Sequence, residues 1–196
     1  MNKFYFFFLF LSFNCFASDS LDNFIFNKNG EQININPNFF RIDNAEKCIY
    51  YKLVSGSSEI KMNFNDLDYV IIRKNKFKTV RLKNTKEIKG FFVLCESATK
   101  TLLFSSLSQE EDESVVKYEF YIVDKDNSVL ESHTFDNLKR PKSASIRSDI
   151  FGKIRFFFDD CPLLIKRISS FDVPSAENFN LDILGFFDAP IYINCL

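Results

Sequence analysis

The chain has 196 residues, of which 46% are hydrophobic and 26% charged, and its formal net charge is −1. The length fits one globular domain or two small ones, and the apolar content excludes a disordered chain because it can offset the entropy lost on folding. The 25 basic and 26 acidic residues argue against nucleic acid as the partner, since phosphate binding requires a surplus of positive charge.

Residues 1–17 have the features of a secretory signal peptide. Lys3 supplies a positive start, an apolar run extends over 4–13, and cleavage is expected after Ala17. The run is shorter than the roughly 20 residues of a membrane-spanning helix. Lipidation at Cys15 is disfavoured, because the residues just before it are not small. We therefore expect an exported protein, periplasmic or extracellular, without a stable membrane anchor. The sequence has no Asn-X-Ser/Thr sequon, which favours a bacterial source.

Strand signals dominate the rest of the chain, as short runs of alternating or β-branched and aromatic residues between turn residues. The predicted strands cover 23–28, 31–36, 47–54, 59–64, 69–73, 77–82, 88–95, 101–107, 115–123, 128–135, 150–158, 163–168, 181–187 and 190–195. Turns are expected at Asn29-Gly30, at Lys74-Asn75-Lys76 and at 124–127. Short helices are placed near 41–47, 65–68 and 174–179. The pattern predicts an all-β protein with few short helices, an antiparallel sandwich or a barrel-like fold, in one lobe or two.

Four consecutive acids, Glu110, Glu111, Asp112 and Glu113, interrupt the series of strands. Like charges in a row repel one another, so the segment 109–114 is predicted to be a solvated loop. Two further interpretations stay open. The segment would separate sub-lobes 18–107 and 115–196, or it would bind a basic partner.

Removal of the signal peptide leaves four cysteines, Cys48, Cys95, Cys161 and Cys195. An even number in an exported chain predicts two disulfides. The pairs Cys48–Cys95 and Cys161–Cys195 are favoured because each lies within one half of the chain. The alternative is four buried thiols. A zinc site is disfavoured, since no C-x-x-C spacing is present and the only histidine is far away in sequence.

Residues for catalysis or for a bound cofactor are scarce in this sequence. His133 is the only histidine, and its context predicts a strand position rather than a catalytic one. Asp124, Asp126 and Ser128 resemble the start of a calcium loop, but Val129 stands where such a loop requires glycine. Asp159-Asp160 could serve a hydrolase only if the strand ends there, because neighbours on a strand point to opposite faces. We therefore predict no catalytic residue, no metal and no cofactor.

The excess of phenylalanine leaves one question open. Phe91-Phe92, Phe156-Phe157-Phe158 and Phe186-Phe187 would place rings on both sides of their strands. Such rings belong either to the core or to an exposed surface that binds another protein. The favoured hypothesis is an exported, non-enzymatic binding protein whose partner is another protein, for example an immunity or inhibitor protein. The alternatives are an exported hydrolase that uses carboxylates and a surface or pilus-like subunit.

Overall fold

A computed structural model of the chain describes residues 23–108, 115–138, 146–172, 182–188 and 190–195. Eleven strands and three helices lie in these ranges. The strands are β1 (Phe24–Asn27), β2 (Gln32–Asp43), β3 (Cys48–Leu53), β4 (Ile60–Asn63), β5 (Leu67–Ile72), β6 (Asn75–Val80), β7 (Lys89–Ser97), β8 (Lys100–Ser108), β9 (Val116–Asp124), β10 (Val129–Asp136) and β11 (Ile193–Cys195). The helices are α1 (Ile146–Phe157), α2 (Pro162–Phe171) and α3 (Asp182–Asp188).

Ten of the strands follow one hydrogen-bonded path, in the order β10-β9-β8-β7-β6-β5-β1-β2-β3-β4. Neighbours along this path are antiparallel, whereas β11 pairs with β7 in parallel. The prediction of a mainly antiparallel β fold with few short helices is therefore confirmed. Each of the ten strands predicted before residue 136 overlaps one of β1–β10.

Three of the later strand predictions were wrong, because 150–158, 163–168 and 181–187 fall on α1, α2 and α3. On α1 and just beyond it, Ile150, Phe151, Ile154 and Phe158 are fully buried. Their spacing of one, three and four residues places them on one side of a helix, not on one side of a strand. α2 begins with Pro162 directly after Cys161, and proline is well suited to the first position of a helix.

The short helices expected near 41–47 and 65–68 are not helices in the structure. The first range continues β2 to Asp43 and then turns, and the second turns and enters β5 at Leu67. The range 174–179 lies outside the described residues. The turn between β5 and β6 lies at Arg73 and Lys74, whose φ angles are 48° and 74°. Positive φ at both central residues matches the twist of a two-residue hairpin.

The side chains of the sheet pack into separate clusters. One cluster lies within β1–β6 and includes Ile25, Ile49 and Phe77. Another lies where Phe104 and Phe120 of β8 and β9 meet the helices. Successive residues of a strand face opposite sides, so Val123 of β9 joins a smaller cluster with Phe91 and Val93 of β7. The helices therefore cover one face of one half of the sheet.

Most phenylalanines of the three runs singled out in the sequence, 91–92, 156–158 and 186–187, pack in these clusters. Phe91 and Phe92 do lie on opposite faces of β7, and Phe158, Phe186 and Phe187 are fully buried. Phe156 differs, because 77% of it is exposed at the outer side of α1. The core interpretation therefore accounts for most of these phenylalanines.

The acidic segment 109–114 lies outside the described residues. The strands that flank it, β8 and β9, pair along their lengths from Lys100 opposite Asp124 to Ser108 opposite Val116. The division into two sub-lobes stays a prediction. Within the described part of the chain, the helices are too short and too polar for any of them to cross a membrane.

Candidate binding surface and cysteine cluster

The most distinctive exposed surface lies on β2, β3 and β4, at one end of the strand path. It is formed by Phe39, Arg41, Tyr50, Lys52 and Lys61, and is called the β2–β4 face below. Arg41 pairs with Tyr50, and Tyr50 with Lys61, so these three side chains form a row across the strands. The neighbouring row, Ile42, Ile49 and Met62, points to the opposite side and belongs to the first core cluster.

Cations lie against the aromatic rings of the β2–β4 face. The guanidinium carbon of Arg41 is 3.5 Å from the centre of the Tyr50 ring, and Lys61 Nζ is 5.6 Å from it. Lys52 Nζ lies 4.4 Å from the ring of Phe39, which is 50% exposed. Contacts of cations with ring faces orient both groups while leaving their outer sides accessible.

Glu46 holds this row in place from the turn before β3. Its carboxylate accepts hydrogen bonds from the Tyr50 hydroxyl and from Lys61 Nζ, each at 2.7 Å. The hydrogen bond from Lys61, followed by that from Tyr50, lowers the pKa of Glu46 to about 2. The same contacts raise the pKa of Lys61 and of Tyr50. Tyr50 is therefore positioned by three charged neighbours.

The β2–β4 face combines one phenylalanine, one tyrosine and one arginine with two lysines, a residue type that is depleted at protein interfaces. Tyrosine, phenylalanine and arginine are enriched where proteins bind one another, because each provides a large contact area with a polar or cationic handle. The sequence predicted only part of this surface. Tyr50, Lys52 and Lys61 lie at alternating positions of the predicted strands 47–54 and 59–64. Phe39 and Arg41 lie beyond the predicted strand 31–36, and Arg41 falls in the range 41–47, where a helix was expected.

The residues considered for chemistry do not form a catalytic arrangement in the described ranges. Asp159 and Asp160 are exposed in the turn between α1 and α2, and the predicted strand 150–158 that precedes them belongs to helix α1. His133 lies on β10, with Nδ1 3.6 Å from a carboxylate oxygen of Asp149. The Asp124 carboxylate accepts backbone hydrogen bonds from Asp126 at 2.9 Å and Ser128 at 2.8 Å. These bonds are typical of an Asx turn and explain the acidic spacing at this hairpin without a metal.

Of the two predicted disulfides, the structure contains Cys161–Cys195. The pair Cys48–Cys95 was wrong, because both of these residues are buried free thiols. Cys48 begins β3 and Cys95 lies on β7, and four strands separate β3 from β7 in the sheet order. Proximity in sequence therefore identified one of the two pairs and failed for the other.

The free thiol of Cys95 lies instead beside the disulfide. Its Sγ is 3.8 Å from Cys161 Sγ and 3.7 Å from Cys195 Sγ. Burial raises the pKa of the Cys95 thiol to about 12, and the charges of Asp160 and Glu96 act in the same direction. No spacing in the sequence indicates this three-sulfur cluster, because its members come from a strand, a helix start and the C-terminal strand.

A half-buried ion pair lies beside the cluster and holds the C-terminal segment. Lys76 Nζ lies 2.5 Å from a Glu96 oxygen, and the Tyr192 hydroxyl donates to the same oxygen at 2.7 Å. Burial opposes ionisation of Glu96, but the hydrogen bonds from Lys76 and Tyr192 outweigh it and lower its pKa. Arg167 of α2 also donates to the carbonyl oxygen of Ile191, at 2.9 Å.

Comparison of the chain with family models, with curated proteins and with solved structures found no match.

Proposed function

We propose that this chain is an exported, non-enzymatic protein that binds another protein through the β2–β4 face. The observation that carries the proposal is the exposed row Arg41–Tyr50–Lys61, with Phe39 and Lys52 beside it. A flat row of aromatic and cationic side chains suits a folded partner surface.

The energetic argument rests on how well the row is ordered before binding. Ordering a long side chain at an interface costs about 0.5–1.5 kcal/mol. Tyr50 is already held by Arg41, Lys61 and Glu46 in the free protein. Most of its side-chain entropy is therefore lost on folding and does not oppose binding. Binding then buries the outer side of the ring and the guanidinium plane, which are the groups that dominate hot spots.

Export is the second part of the proposal. It is supported by the signal-peptide features of residues 1–17 and by the Cys161–Cys195 disulfide, since disulfides persist mainly in oxidising compartments. A periplasmic or extracellular inhibitor is one form of such a protein. In that form Glu110–Glu113 would add a contact with a basic site on the partner.

The test compares single variants of a tagged chain expressed in its native cells. After mild cross-linking, wild type should retain one stoichiometric partner, and binding of that partner is then measured with purified proteins. Tyr50→Ala should weaken the complex by about 30-fold, which corresponds to the roughly 2 kcal/mol that defines a hot spot. Arg41→Ala should act in the same direction.

The matched control is Val129→Ala, which removes an exposed apolar side chain from β10 at the other end of the strand path. It should leave the affinity unchanged. Recovery of the monomer alone, or equal affinity of wild type and Tyr50→Ala, would contradict the proposal.

A further inference from the structure

Three cysteine sulfurs from distant parts of the chain meet at one point of the core. Cys95 is on β7, Cys161 directly precedes α2, and Cys195 is on β11. Cys95 and Cys161 are fully buried, and Cys195 is half-buried. Their ligand atoms all lie within 4.8 Å of one another.

The distances from Cys95 match those of a metal–thiolate centre. Zinc–sulfur bonds of about 2.3 Å at tetrahedral angles place neighbouring sulfurs about 3.8 Å apart. Cys95 Sγ lies 3.8 Å from one sulfur and 3.7 Å from the other. Only the Cys161–Cys195 edge is shorter, because it is a covalent bond. The Cα atoms of these two residues are 5.6 Å apart, which lets side-chain rotation separate the sulfurs once the bond is reduced.

The same distances argue against simple exchange of the disulfide with Cys95. A thiolate that displaces a sulfur must approach along the line of the bond that breaks, through a mixed disulfide. Cys95 Sγ is almost equally far from both sulfurs, so it lies beside the bond and not on its extension. A triangle of sulfurs favours a shared central ligand over attack on either end.

The charges around the cluster also favour a cation. The carboxylates of Asp160 and Glu96 act electrostatically on the Cys95 sulfur. Glu96 is itself paired with Lys76, so Asp160 supplies the remaining negative charge that would attract a divalent cation to the thiolates. Soft thiolate ligands select thiophilic metals such as zinc.

We propose that Cys95, Cys161 and Cys195 bind one thiophilic divalent cation of the zinc class when the Cys161–Cys195 bond is reduced. A dithiol reductant supplies two electrons and two protons to the bond and becomes a disulfide itself. The cation then replaces the three thiol protons, which pass to solvent, and a water completes its coordination. The cation takes over the cross-link between α2 and β11 and extends it to β7.

Cadmium is the probe for this site, because cadmium–thiolate bonds absorb in the ultraviolet. The full chain is reduced anaerobically with a phosphine, freed of reductant and titrated with Cd²⁺. We expect the absorption to saturate at one equivalent, and to appear also when Cd²⁺ is added to the Zn²⁺-loaded chain, because the softer cadmium displaces zinc from thiolates. Cys95→Ser should weaken Cd²⁺ binding by at least about 100-fold, since loss of a ligand exceeds the 10–100-fold cost of losing an outer contact. Cys48→Ser is the matched control and should bind like wild type, because Cys48 belongs to a different part of the sheet.

A second measurement covers the case in which Cys95→Ser does not fold. The cadmium NMR shift of the wild-type complex reports how many sulfurs bind the metal, and we expect three. No saturable binding by the reduced wild type, a shift typical of fewer sulfurs, or equal loss in folded Cys48→Ser and Cys95→Ser would overturn the proposal. The β2–β4 face takes no part in this experiment, so its result is independent of the proposed partner.

Discussion

Gly90 of β7 lies so close to two phenylalanine rings that a side chain at this position would clash with them. A Cβ atom at this position would lie 2.2 Å from Cζ of Phe77 and 2.9 Å from Cζ of Phe64. Both rings belong to the core cluster of β1–β6, where they cannot move without displacing their neighbours. We expect Gly90→Ala to destabilise the protein by about 1–3 kcal/mol through overpacking, measured as a lower midpoint of urea unfolding.

Gly152 is the matched control for this prediction. It lies within α1, and a Cβ there would meet no atom within 4 Å. Alanine has a higher helix propensity than glycine, so Gly152→Ala should stabilise the protein by up to about 1 kcal/mol. The prediction would fail if the two substitutions shifted the midpoint in the same direction.

The carboxyl group of Glu46 should report the contacts of the β2–β4 face. Its pKa is lowered to about 2 by the hydrogen bonds from Lys61 and Tyr50. A lowered pKa in the folded state means that this contribution to stability is present above the ordinary pKa of glutamate. It is lost as the pH falls towards 2. An NMR titration of the carboxyl carbon should show a midpoint well below that of an ordinary glutamate.

Substitution of Lys61 tests whether its hydrogen bond, and not the general charge of the surface, lowers the pKa of Glu46. Lys61→Met removes the largest cause of the shift, so the midpoint of Glu46 should move up towards its ordinary range. Lys52→Met, on the same face but without a contact to Glu46 among those described, should leave it in place. An unchanged Glu46 titration in Lys61→Met would show that the hydrogen bond is not formed in solution.

At the scale of elements, the strands could be predicted and the helices could not. β1–β10 alternate or carry β-branched and aromatic residues between clear turns, and each was located from that pattern. In α1 the same residue types occur at helical spacing. Because isoleucine and phenylalanine are typical of strands, the segment was predicted as a strand and its 3.6-residue period was missed. Burial of Ile150, Ile154 and Phe158 against the sheet outweighs the modest helix propensity of these residues.

The β2–β4 face and the three-sulfur cluster also differ in how far the sequence predicts them. The β3 and β4 part of the β2–β4 face follows from alternation and hairpin pairing, whereas Phe39 and Arg41 were missed because β2 continues past a register shift after Ile35. The three-sulfur cluster depends on the parallel pairing of β11 with β7, where Ile193 lies opposite Cys95. No local signal indicates which strand the C-terminal segment will join, since that choice follows from the packing of α2 and α3.

Arg167 of α2 holds the segment that leads into β11. Arg167 of α2 donates to the carbonyl oxygens of Ile191, at 2.9 Å, and Phe186, at 3.0 Å. Arg167→Met removes both charged donors, and hydrogen bonds of this type contribute about 1.5–3 kcal/mol each. We expect a lower free energy of unfolding and faster hydrogen exchange at 193–195. Lys166→Met, an exposed neighbour on the same helix, should change neither quantity, and equal exchange in the two variants would contradict the assigned role.

The molecule as a whole joins two differently supported halves in one strand path. The cluster of the β1–β6 half consists of strand residues and of Phe64 in the turn before β5, whereas in the other half α1, α2 and α3 cover the sheet. The described helices are short, between 7 and 12 residues, and helices of this length are marginal without tertiary packing. The link between α2 and β11 should therefore matter for the stability of the whole chain.

The Cys161–Cys195 disulfide provides that link across a sequence separation of 34 residues. Closing a loop of this size stabilises a protein by about 4 kcal/mol in the chain-entropy model. Reduction in the presence of a chelator should lower the free energy of urea unfolding by about this amount. Cys48→Ser should respond to reductant as wild type does, because Cys48 is not bonded. The double variant Cys161→Ser with Cys195→Ser should be destabilised and insensitive to reductant. A wild-type midpoint that does not move on reduction, with the reduced thiols verified by mass spectrometry, would show that packing alone holds α2 and β11 together.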